Sequence, residues 1–403
     1  MRIFLVFALC FSFICLNAQN WNQVTEYPGA ERHHPITFSL DGSGYLLCGS
    51  NTGSPFNDFY QYDPTADSWQ TLDPFPGPAR GFSYGVTEGG VAYIGFGVGE
   101  TNNSGVELKD LWKFDPDDQE WTELSSCVCF ARHHPAFLAL NNKLYVGLGS
   151  SNFGNLDDWW EYDIAEDKWT RKTKFPGIPR HHPYYFTLGE YVYVGFGHAN
   201  GLQILNDLYR YDPSNDTWLE MASLPAEGRV AGTQFAYDSK GYILTGQNEQ
   251  HINFQTGEFW QYDPDSNSWA ELEAFPLGSR WAPGSFLIDD MLYFTSGEDN
   301  FGGYNNDVWQ FDLSAINTGI NDIEINTKDL TIYPNPATNQ IHLEQNGIDF
   351  SDYSVAVFDI LGKQVYAAKI ATPQLDVSTF PKGIYNIILT AEKAAYQNTF
   401  VKE

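Results

Sequence analysis

The amino-acid sequence predicts an all-β protein built from small antiparallel sheets, because one pattern recurs every 48–52 residues along most of the chain. Each copy begins with an arginine, and a glycine follows 17 residues later at the end of an apolar segment. An aspartate then ends an aromatic segment, and in five copies a tryptophan stands six residues beyond it. A period held this tightly is typical of chains that stack one supersecondary unit several times. The recurring positions are Arg32, Arg80, Arg132, Arg180, Arg229 and Arg280; Gly49, Gly97, Gly149, Gly197, Gly246 and Gly297; Asp63, Asp115, Asp163, Asp212, Asp263 and Asp312; and Trp69, Trp121, Trp169, Trp218 and Trp269.

Each copy is predicted to form four short strands, as the copy at residues 180–229 illustrates. Its segments PYYFTL, YVYVGFG and DLYRYD are rich in aromatic and β-branched residues, and a fourth segment begins at Trp218. The intervening DPSND has the proline, aspartate and asparagine that favour a tight turn. Only the distance from glycine to aspartate varies among the copies, from 14 to 18 residues. The loop between the second and third strands therefore absorbs the length variation, and variable loops commonly carry binding residues.

The two ends of the repeat region predict that the sheets close into a ring. The last copy reaches Asp312, and no tryptophan follows it at the usual distance. Trp21 lies 11 residues before Arg32, the same offset that separates every other tryptophan from the next arginine. The N-terminal strand is therefore expected to complete the last sheet, which removes two exposed sheet edges. We predict a six-bladed β-propeller over residues 19–313, closed by this strand.

The second-strand glycine, the YDP turn and the tryptophan at a fixed offset resemble the kelch family over about residues 21–313. Most copies have Gly-x-Gly where that family usually has two adjacent glycines. The resemblance implies a kelch-type propeller. Most proteins of that family are binding modules, and a minority are enzymes, which include sialic-acid mutarotases and a copper oxidase.

Residues 1–18 (MRIFLVFALCFSFICLNA) are predicted to be a secretory signal peptide, because a basic start precedes a short apolar run. No other apolar run is long enough to span a membrane, so we expect no transmembrane segment. The formal net charge of −29 argues against nucleic acid and anionic membranes as partners.

The C-terminal region has a different composition. Residues 314–329 are predicted to be a polar linker, and alternating apolar residues over 330–403 predict a small antiparallel β-sandwich. The segments YPNP, DILGK and GIY in this region resemble the C-terminal sorting domain of the type IX secretion system of Bacteroidetes. The resemblance implies that the secretion machinery is a partner and that the protein is secreted, either extracellular or attached to the outer-membrane surface. The residues that carry this motif are Pro334, Asn335, Pro336, Gly362, Lys363, Gly383 and Tyr385.

Histidines break the symmetry of the repeat at the two positions that follow each arginine. Copies one, three and four have histidine pairs there, and the other copies have Gly-Phe, Val-Ala and Trp-Ala. A ring of arginines could bind an anion, but a residue present in every copy also fits a repeated structural ion pair. Because neighbouring residues of a strand point in opposite directions, one histidine of each pair is expected to face a pocket. The candidate ligand-binding residues are Arg32, His33, His34, Arg80, Arg132, His133, His134, Arg180, His181, His182, His198, Arg229, His251, Arg280, Trp281 and Glu298.

Three cysteines remain after residue 18. Cys48 is expected to be a buried thiol, and Cys127 and Cys129 are close enough in sequence to form a tight disulfide. A metal site that combines this cysteine pair with His133 and His134 is the alternative. The same RHHP segment occurs twice elsewhere without cysteines, so we predict no metal site and require no cofactor.

The sequence favours a secreted or surface binding module over an enzyme. Amides, carboxylates, imidazoles and aromatic rings in the variable loops suit a carbohydrate or another extracellular ligand on the loop face. A sugar-active enzyme, either an epimerase or mutarotase or a metal-dependent one, is the first alternative, because loop histidines and glutamates could act as acids and bases. A scaffold that binds an extracellular protein is the second.

Overall fold

The computed structural model describes residues 20–403, except positions 53, 102–103, 202, 319–324, 327–329, 345–349, 351–352, 360–363, 371 and 392–393. The chain divides into two compact units, Met1–Leu313 and Ser314–Glu403. The predicted signal peptide, part of the predicted linker, and Gly362 and Lys363 of the sorting motif lie outside the described residues.

The first unit is all β. Its first 18 strands are β1 (Trp21–Val24), β2 (Ile36–Leu40), β3 (Ser43–Leu47), β4 (Phe59–Asp63), β5 (Ser68–Leu72), β6 (Arg80–Gly81), β7 (Tyr84–Glu88), β8 (Val91–Gly95), β9 (Val98–Thr101), β10 (Ser104–Glu107), β11 (Leu111–Asp115), β12 (Glu120–Leu124), β13 (Ala136–Leu140), β14 (Lys143–Gly147), β15 (Ser150–Ser151), β16 (Gly154–Asn155), β17 (Trp159–Asp163) and β18 (Lys168–Lys172). The remaining strands of this unit are β19 (Arg180–His181), β20 (Tyr184–Leu188), β21 (Tyr191–Gly195), β22 (His198–Ala199), β23 (Leu208–Asp212), β24 (Thr217–Met221), β25 (Thr233–Tyr237), β26 (Lys240–Leu244), β27 (Phe259–Asp263), β28 (Ser268–Glu271), β29 (Gly284–Ile288), β30 (Met291–Thr295) and β31 (Val308–Asp312).

Within the described residues, the longer strands of this unit form six four-stranded antiparallel sheets, one for each sequence repeat. Each of five sheets is formed by four strands from one continuous segment of the chain, in the orders β2–β3–β4–β5, β7–β8–β11–β12, β13–β14–β17–β18, β20–β21–β23–β24 and β25–β26–β27–β28. The first strand of each sheet contacts the first strand of the next, and β29 contacts β2. The short strands β6, β9, β10, β15, β16, β19 and β22 form small ribbons from the starts of repeats and the variable loops.

The remaining sheet combines the two ends of the unit, in the order β29–β30–β31–β1. Trp21 is paired with Phe311 in the strand register, and the two rings lie 4.9 Å apart between centroids. The Trp21 ring also packs edge-on against Phe275, at 5.1 Å. The first described strand is therefore held by a sheet that is distant in sequence.

Hydrophobic clusters lie between neighbouring sheets, so each sheet buries both of its faces. One cluster joins Phe38 and Phe59 of the first sheet to Phe114 of the second, and another joins Tyr62 of the first sheet to Phe286 and Tyr293 of the last. Burial of this aromatic surface is the main stabilising contribution, since each large side chain removed from water contributes about 1.5–3 kcal/mol.

The fixed spacing of the tryptophan in each repeat is explained by a hydrogen bond from its indole to the preceding repeat. The indole nitrogen of Trp169 donates to the backbone oxygen of Ser125, and that of Trp218 donates to Thr173, at 2.8 and 3.0 Å. Each acceptor stands four residues after the tryptophan position of the preceding repeat. Each tryptophan thus ties its own sheet to the previous one, so its distance from the repeat boundary is fixed.

The second unit has one short helix, α1 (Ser314–Thr318), and two sheets. Its strands are β32 (Ile325–Asn326), β33 (Thr331–Tyr333), β34 (Gln340–Glu344), β35 (Ser354–Asp359), β36 (Gln364–Lys369), β37 (Gln374–Asp376), β38 (Gly383–Ala391) and β39 (Ala394–Lys402). The sheets have the orders β32–β39–β38–β35–β36 and β33–β34–β37, and one hydrophobic cluster contains residues of both.

Two details of this unit differ from the sequence prediction. Strand β32 lies inside the predicted linker and pairs in parallel with β39, so the five-stranded sheet is mixed rather than purely antiparallel. The asparagine of the sorting motif also has a structural contact: Asn335 donates its amide to the backbone of Thr399 and accepts from the backbone of Val401. The motif therefore fastens the start of the unit to its last strand.

Candidate functional site

The six repeated arginines are buried and each forms an ion pair with an acidic residue of its own repeat. All six side chains are almost completely excluded from solvent. Arg132 is representative: its guanidinium donates to both carboxylate oxygens of Asp158, at 2.6 and 2.8 Å, and to the backbone oxygens of Leu148 and Phe130. The corresponding partners in the other repeats are Asp58 for Arg32, Asp110 for Arg80, Asp207 for Arg180, Glu258 for Arg229 and Asp307 for Arg280.

This placement argues against a ligand-binding role for the arginines, because all six are buried. In five repeats the guanidinium satisfies a carboxylate and one or two backbone carbonyls, which leaves no face for a ligand. Arg229 bonds only to Glu258, and its Nε and Nη1 atoms are buried without partners. The sequence carried an unused signal for the partner, because an acidic residue stands five positions before the repeated aspartate in all six repeats.

The arginine and glycine positions also link one repeat to the next. The amide of Gly49 donates to the backbone oxygen of Arg80, and the same bond recurs in every repeat until Gly297 donates to Arg32, at 2.8–3.1 Å. The glycine has no substitute at this position: at Gly197 the backbone has φ +86°, and a Cβ atom would lie 2.7 Å from the oxygen of His181.

In every repeat, the start of the variable loop pairs with the segment that follows the repeated arginine. The residue after each arginine forms a backbone bridge with the residue after each glycine. These pairs are His33–Ser50, Gly81–Val98, His133–Ser150, His181–His198, Val230–Gln247 and Trp281–Glu298. The predicted histidines and the predicted loop residues therefore share one end of the sheets.

The second residue after each arginine adopts left-handed backbone geometry, which the sequence analysis did not anticipate. The six residues are His34, Phe82, His134, His182, Ala231 and Ala282, with φ between 51° and 60°. Four of them donate a backbone hydrogen bond to the corresponding residue of a neighbouring repeat, as His182 does to His134 at 3.1 Å. We call these six residues the axial ring. Because the backbone is not extended here, the alternation of side chains along a strand, on which the expectation for the histidine pairs rested, does not apply.

Three histidines of the axial ring converge on one another. The Nε2 atoms of His34 and His182 are 2.8 Å apart, and the rings of His134 and His182 stack with centroids 3.3 Å apart. All three side chains are buried, and each has a ligand nitrogen within 4.8 Å of the other two. The Phe82 ring packs edge-on against His34 and His134 and completes the cluster.

A pocket of about 450 Å³ opens above this cluster. It is lined by Phe82, His134, His181, His182, His198, Val230, Gln247, His251, Trp281 and Glu298. Seven of these ten were sequence candidates, while Phe82, Val230 and Gln247 were missed. Gln247 could have been found, since it follows its repeated glycine by one residue, as His198 and Glu298 do.

The other candidate histidines lie beside the pocket rather than on its lining. His33 is buried against the rings of Trp281 and Tyr304, and its Nδ1 is 2.7 Å from Nδ1 of His34. His133 pairs with a carboxylate, with its Nδ1 3.1 Å from Oε1 of Glu107.

Burial lowers the pKa of several imidazoles of this region, which favours their neutral form. Burial lowers the pKa of His33 to about 4 and, with help from the neighbouring His198, lowers the pKa of His181 to about 3. Burial and His251 also lower the pKa of His198. A neutral imidazole accepts a proton at one nitrogen, and only the protonated form delivers one, so these residues are bases in their neutral state.

The cysteines do not contribute to the pocket. Cys127 and Cys129 form a disulfide, which removes both from the alternative metal site. Cys48 is a fully buried free thiol, and its burial raises its pKa to about 12.

Comparison with known proteins assigns both units. A family model for a secretion system C-terminal sorting domain matches residues 331–403, and a model for N-acetylneuraminate epimerase matches residues 134–256. An F-box/kelch-repeat protein of Arabidopsis thaliana is 26% identical over 234 residues, which are 54% of this chain and 38% of that protein. The solved structure of YjhT covers 71% of this chain with a TM-score of 0.60 at 15% identity, and 96% of YjhT is covered. The first unit therefore has a propeller-like fold and is similar to kelch-repeat proteins, and the second matches a secretion sorting domain.

The comparison corrects the expectation that this propeller is not an enzyme. The N-acetylneuraminate epimerase of Haemophilus influenzae (strain PittEE) is 25% identical over 260 residues, which are 57% of this chain and 56% of that enzyme. The chain thus spans about half the length of the curated epimerases it matches. Enzymes among the relatives overturn our preference for a non-enzymatic module.

The sorting domain indicates secretion through the type IX system to the cell surface or the extracellular space. Among the helices of the described residues, none is long and apolar enough to cross a membrane.

Proposed function

We propose that the protein is a secreted sugar-active enzyme that interconverts the anomers of a sugar bound in the pocket at the loop end of the propeller. The six sheets are taken as the blades of a closed propeller, supported by the cyclic contacts of their first strands and by the glycine-to-arginine bonds that return to Arg32. The observation that carries the proposal is the set of proton-transfer groups on one pocket lining: His198, His251 and Glu298.

Anomer exchange needs these groups and no cofactor. The sugar ring opens when a base takes the proton of the anomeric hydroxyl while an acid gives a proton to the ring oxygen. The resulting carbonyl rotates and the ring closes on its other face, with the two proton transfers reversed. His198 and His251 have ring centroids 4.5 Å apart, and Glu298 is held by two backbone bonds to Trp281. The carboxylate of Glu298 can therefore take the proton of the anomeric hydroxyl, and one imidazole of the pair, in its protonated form, can give a proton to the ring oxygen.

Two further features of the pocket support a sugar. The Trp281 ring forms part of the lining, and an aromatic face is a good platform for the apolar side of a sugar ring. Phe153 and Phe301 are exposed at 81% and 96% in the third and sixth variable loops, so their faces are free to contact a larger glycan.

The test is the rate of anomer interconversion measured by proton NMR with the mature chain. N-acetylneuraminate and an uncharged sugar such as galactose are compared, because the pocket lining contains no lysine or arginine. Acceleration of either sugar is expected, together with a loss of about 100-fold or more in His198→Ala and Glu298→Gln. Glu190→Gln is the matched control, since Glu190 lies at the turn end of its sheet and bonds to Asn141. A folded protein that accelerates neither sugar over buffer would contradict the proposal.

A further inference from the structure

The three converging histidines of the axial ring carry an inference that does not depend on the proposed sugar chemistry. His34, His134 and His182 come from the first, third and fourth repeats and are 3%, 7% and 6% exposed. Among the described residues, no carboxylate or cysteine belongs to the group of ligand atoms that meet here. The cluster therefore brings three imidazoles from different repeats together at one buried point.

His134 shows that the cluster is incomplete as a hydrogen-bonded unit. Both of its ring nitrogens are buried without a hydrogen-bond partner. A neutral imidazole has one donor and one acceptor, and a buried polar group without a partner is uncommon in folded proteins. The rings packed against His134 are those of Phe82, His34, His133, His181 and His182, and none of them is its hydrogen-bond partner. A bound ion or another additional group would satisfy His134.

We propose that His34, His134 and His182 bind one divalent transition-metal ion, for which zinc is the reference. Imidazole is a preferred ligand of zinc, and three histidines with one open position form a known type of catalytic zinc site. With bonds of about 2.0–2.1 Å, tetrahedral ligand nitrogens lie about 3.3 Å apart. To bind one ion, the 2.8 Å separation between His34 and His182 widens slightly and the rings of His134 and His182 turn out of their stack; the remaining separations are below 4.8 Å.

The surroundings of His34 also fit a metal ligand. Such a histidine usually binds the metal through one nitrogen and is oriented through the other by a second residue. Nε2 of His34 points to His182, and its Nδ1 is 2.7 Å from Nδ1 of His33. His33 in turn lies 3.4 Å from the hydroxyl of Ser50. His33 is therefore assigned as the residue that orients His34.

The position of the cluster leaves the open coordination site accessible. His134 and His182 line the pocket at the loop end, while His34 and His182 also line a cavity of about 250 Å³ between the first strands of the sheets. The ion would lie in the floor of the pocket and would add positive charge to a lining that has no lysine or arginine. Such a charge suits an anionic or strongly polar oxygen of a ligand.

The experiment measures metal binding directly. The mature full-length chain is treated with a chelator and titrated with Zn²⁺ by calorimetry, and metal per chain is counted by mass spectrometry. One zinc per chain is expected. Cobalt should replace it and give the visible absorption of a four-coordinate site.

Three variants should differ in how much zinc affinity they lose. His33→Ala should weaken zinc binding by roughly 10–100-fold, because it removes only the orienting residue. His134→Ala should cost more than this, because it removes a ligand. His133→Ala is the control: it removes the adjacent histidine, which pairs with Glu107 instead of joining the cluster.

Folding is checked by tryptophan fluorescence, since all 12 tryptophans lie between residues 21 and 309. If His134→Ala does not fold, the conservative His34→Gln and His182→Gln take its place. The proposal is wrong if the chelated wild type binds zinc no better than folded ligand variants, or if His133→Ala loses as much affinity as His134→Ala. Because the readout is bound metal, failure of the sugar assay leaves this result unaffected.

Discussion

Replacement of Arg132 by methionine should destabilise the propeller more than the same replacement at Arg229. Arg132 donates four hydrogen bonds, two to the carboxylate of Asp158 and two to backbone oxygens. Arg229 has one bond to Glu258, and its Nε and Nη1 atoms are buried without partners. The two sites therefore differ in what the substitution leaves behind, although the side chains occupy equivalent positions.

The magnitude follows from the carboxylate that loses its partner. Removing one member of a buried ion pair costs about 3–5 kcal/mol, because the remaining charge stays desolvated. At Arg229 the substitution removes one hydrogen bond to a charged group, which costs about 1.5–3 kcal/mol. It also removes two buried nitrogens that have no partner, which offsets part of this cost. We expect Arg132→Met to lower the melting temperature by about 6–10 °C, at roughly 2 °C per kcal/mol for a unit of this size. The decrease for Arg229→Met should be less than half as large.

Urea denaturation followed by tryptophan fluorescence measures both variants, because the tryptophans report only on the first unit. The double variant Arg132→Met with Asp158→Asn should recover part of the loss, since it removes the uncompensated charge. Equal losses of under about 1 kcal/mol at Arg132 and Arg229 would refute the ion-pair reasoning.

Three further predictions concern stability and export. Deleting residues 19–27 removes β1 and the packing of Trp21, so we expect aggregation in size-exclusion chromatography or a large loss of stability in thermal melting. A melting temperature within a few degrees of the parent protein would exclude a structural role for β1. Removing residues 330–403 should leave the unfolding curve measured by tryptophan fluorescence unchanged, but the protein should no longer appear at the cell surface in cell fractionation. Surface display of the truncated chain would contradict the sorting assignment. Although burial opposes it, the bonds from Arg132 hold the pKa of Asp158 below its usual value, so its stabilising effect is present above the unfolded-state pKa and is lost as pH falls through the folded-state pKa. Asp158→Asn should therefore flatten the stability curve on the acid side of about pH 4 in denaturation measured from pH 6 to pH 2, and an unchanged slope would count against this.

The amino-acid sequence by itself predicted the repeat, its four strands and the end of the sheets at which the candidate site residues lie together. These features follow from local chemistry, because a fixed spacing of arginine, glycine, aspartate and tryptophan requires the same contacts in every copy. Trp218 reaches Thr173 of the preceding repeat, and Gly197 tolerates a conformation that other residues avoid. Spacing of this kind is visible in a single sequence, as were the motifs of the sorting domain.

The tertiary structure alone decided which candidates line the pocket. The arginines were candidates by position, but they are buried and bonded to carboxylates just before a later strand of the same repeat, as Asp158 precedes β17. The histidine pairs were expected to alternate, as strand residues do, but the second member of each pair lies in left-handed backbone geometry. That geometry is imposed by bonds between neighbouring repeats, such as the one from His182 to His134. Because His34 and His182 are 148 residues apart, their meeting at 2.8 Å depends on how the sheets are arranged around the axis, and no local pattern encodes it.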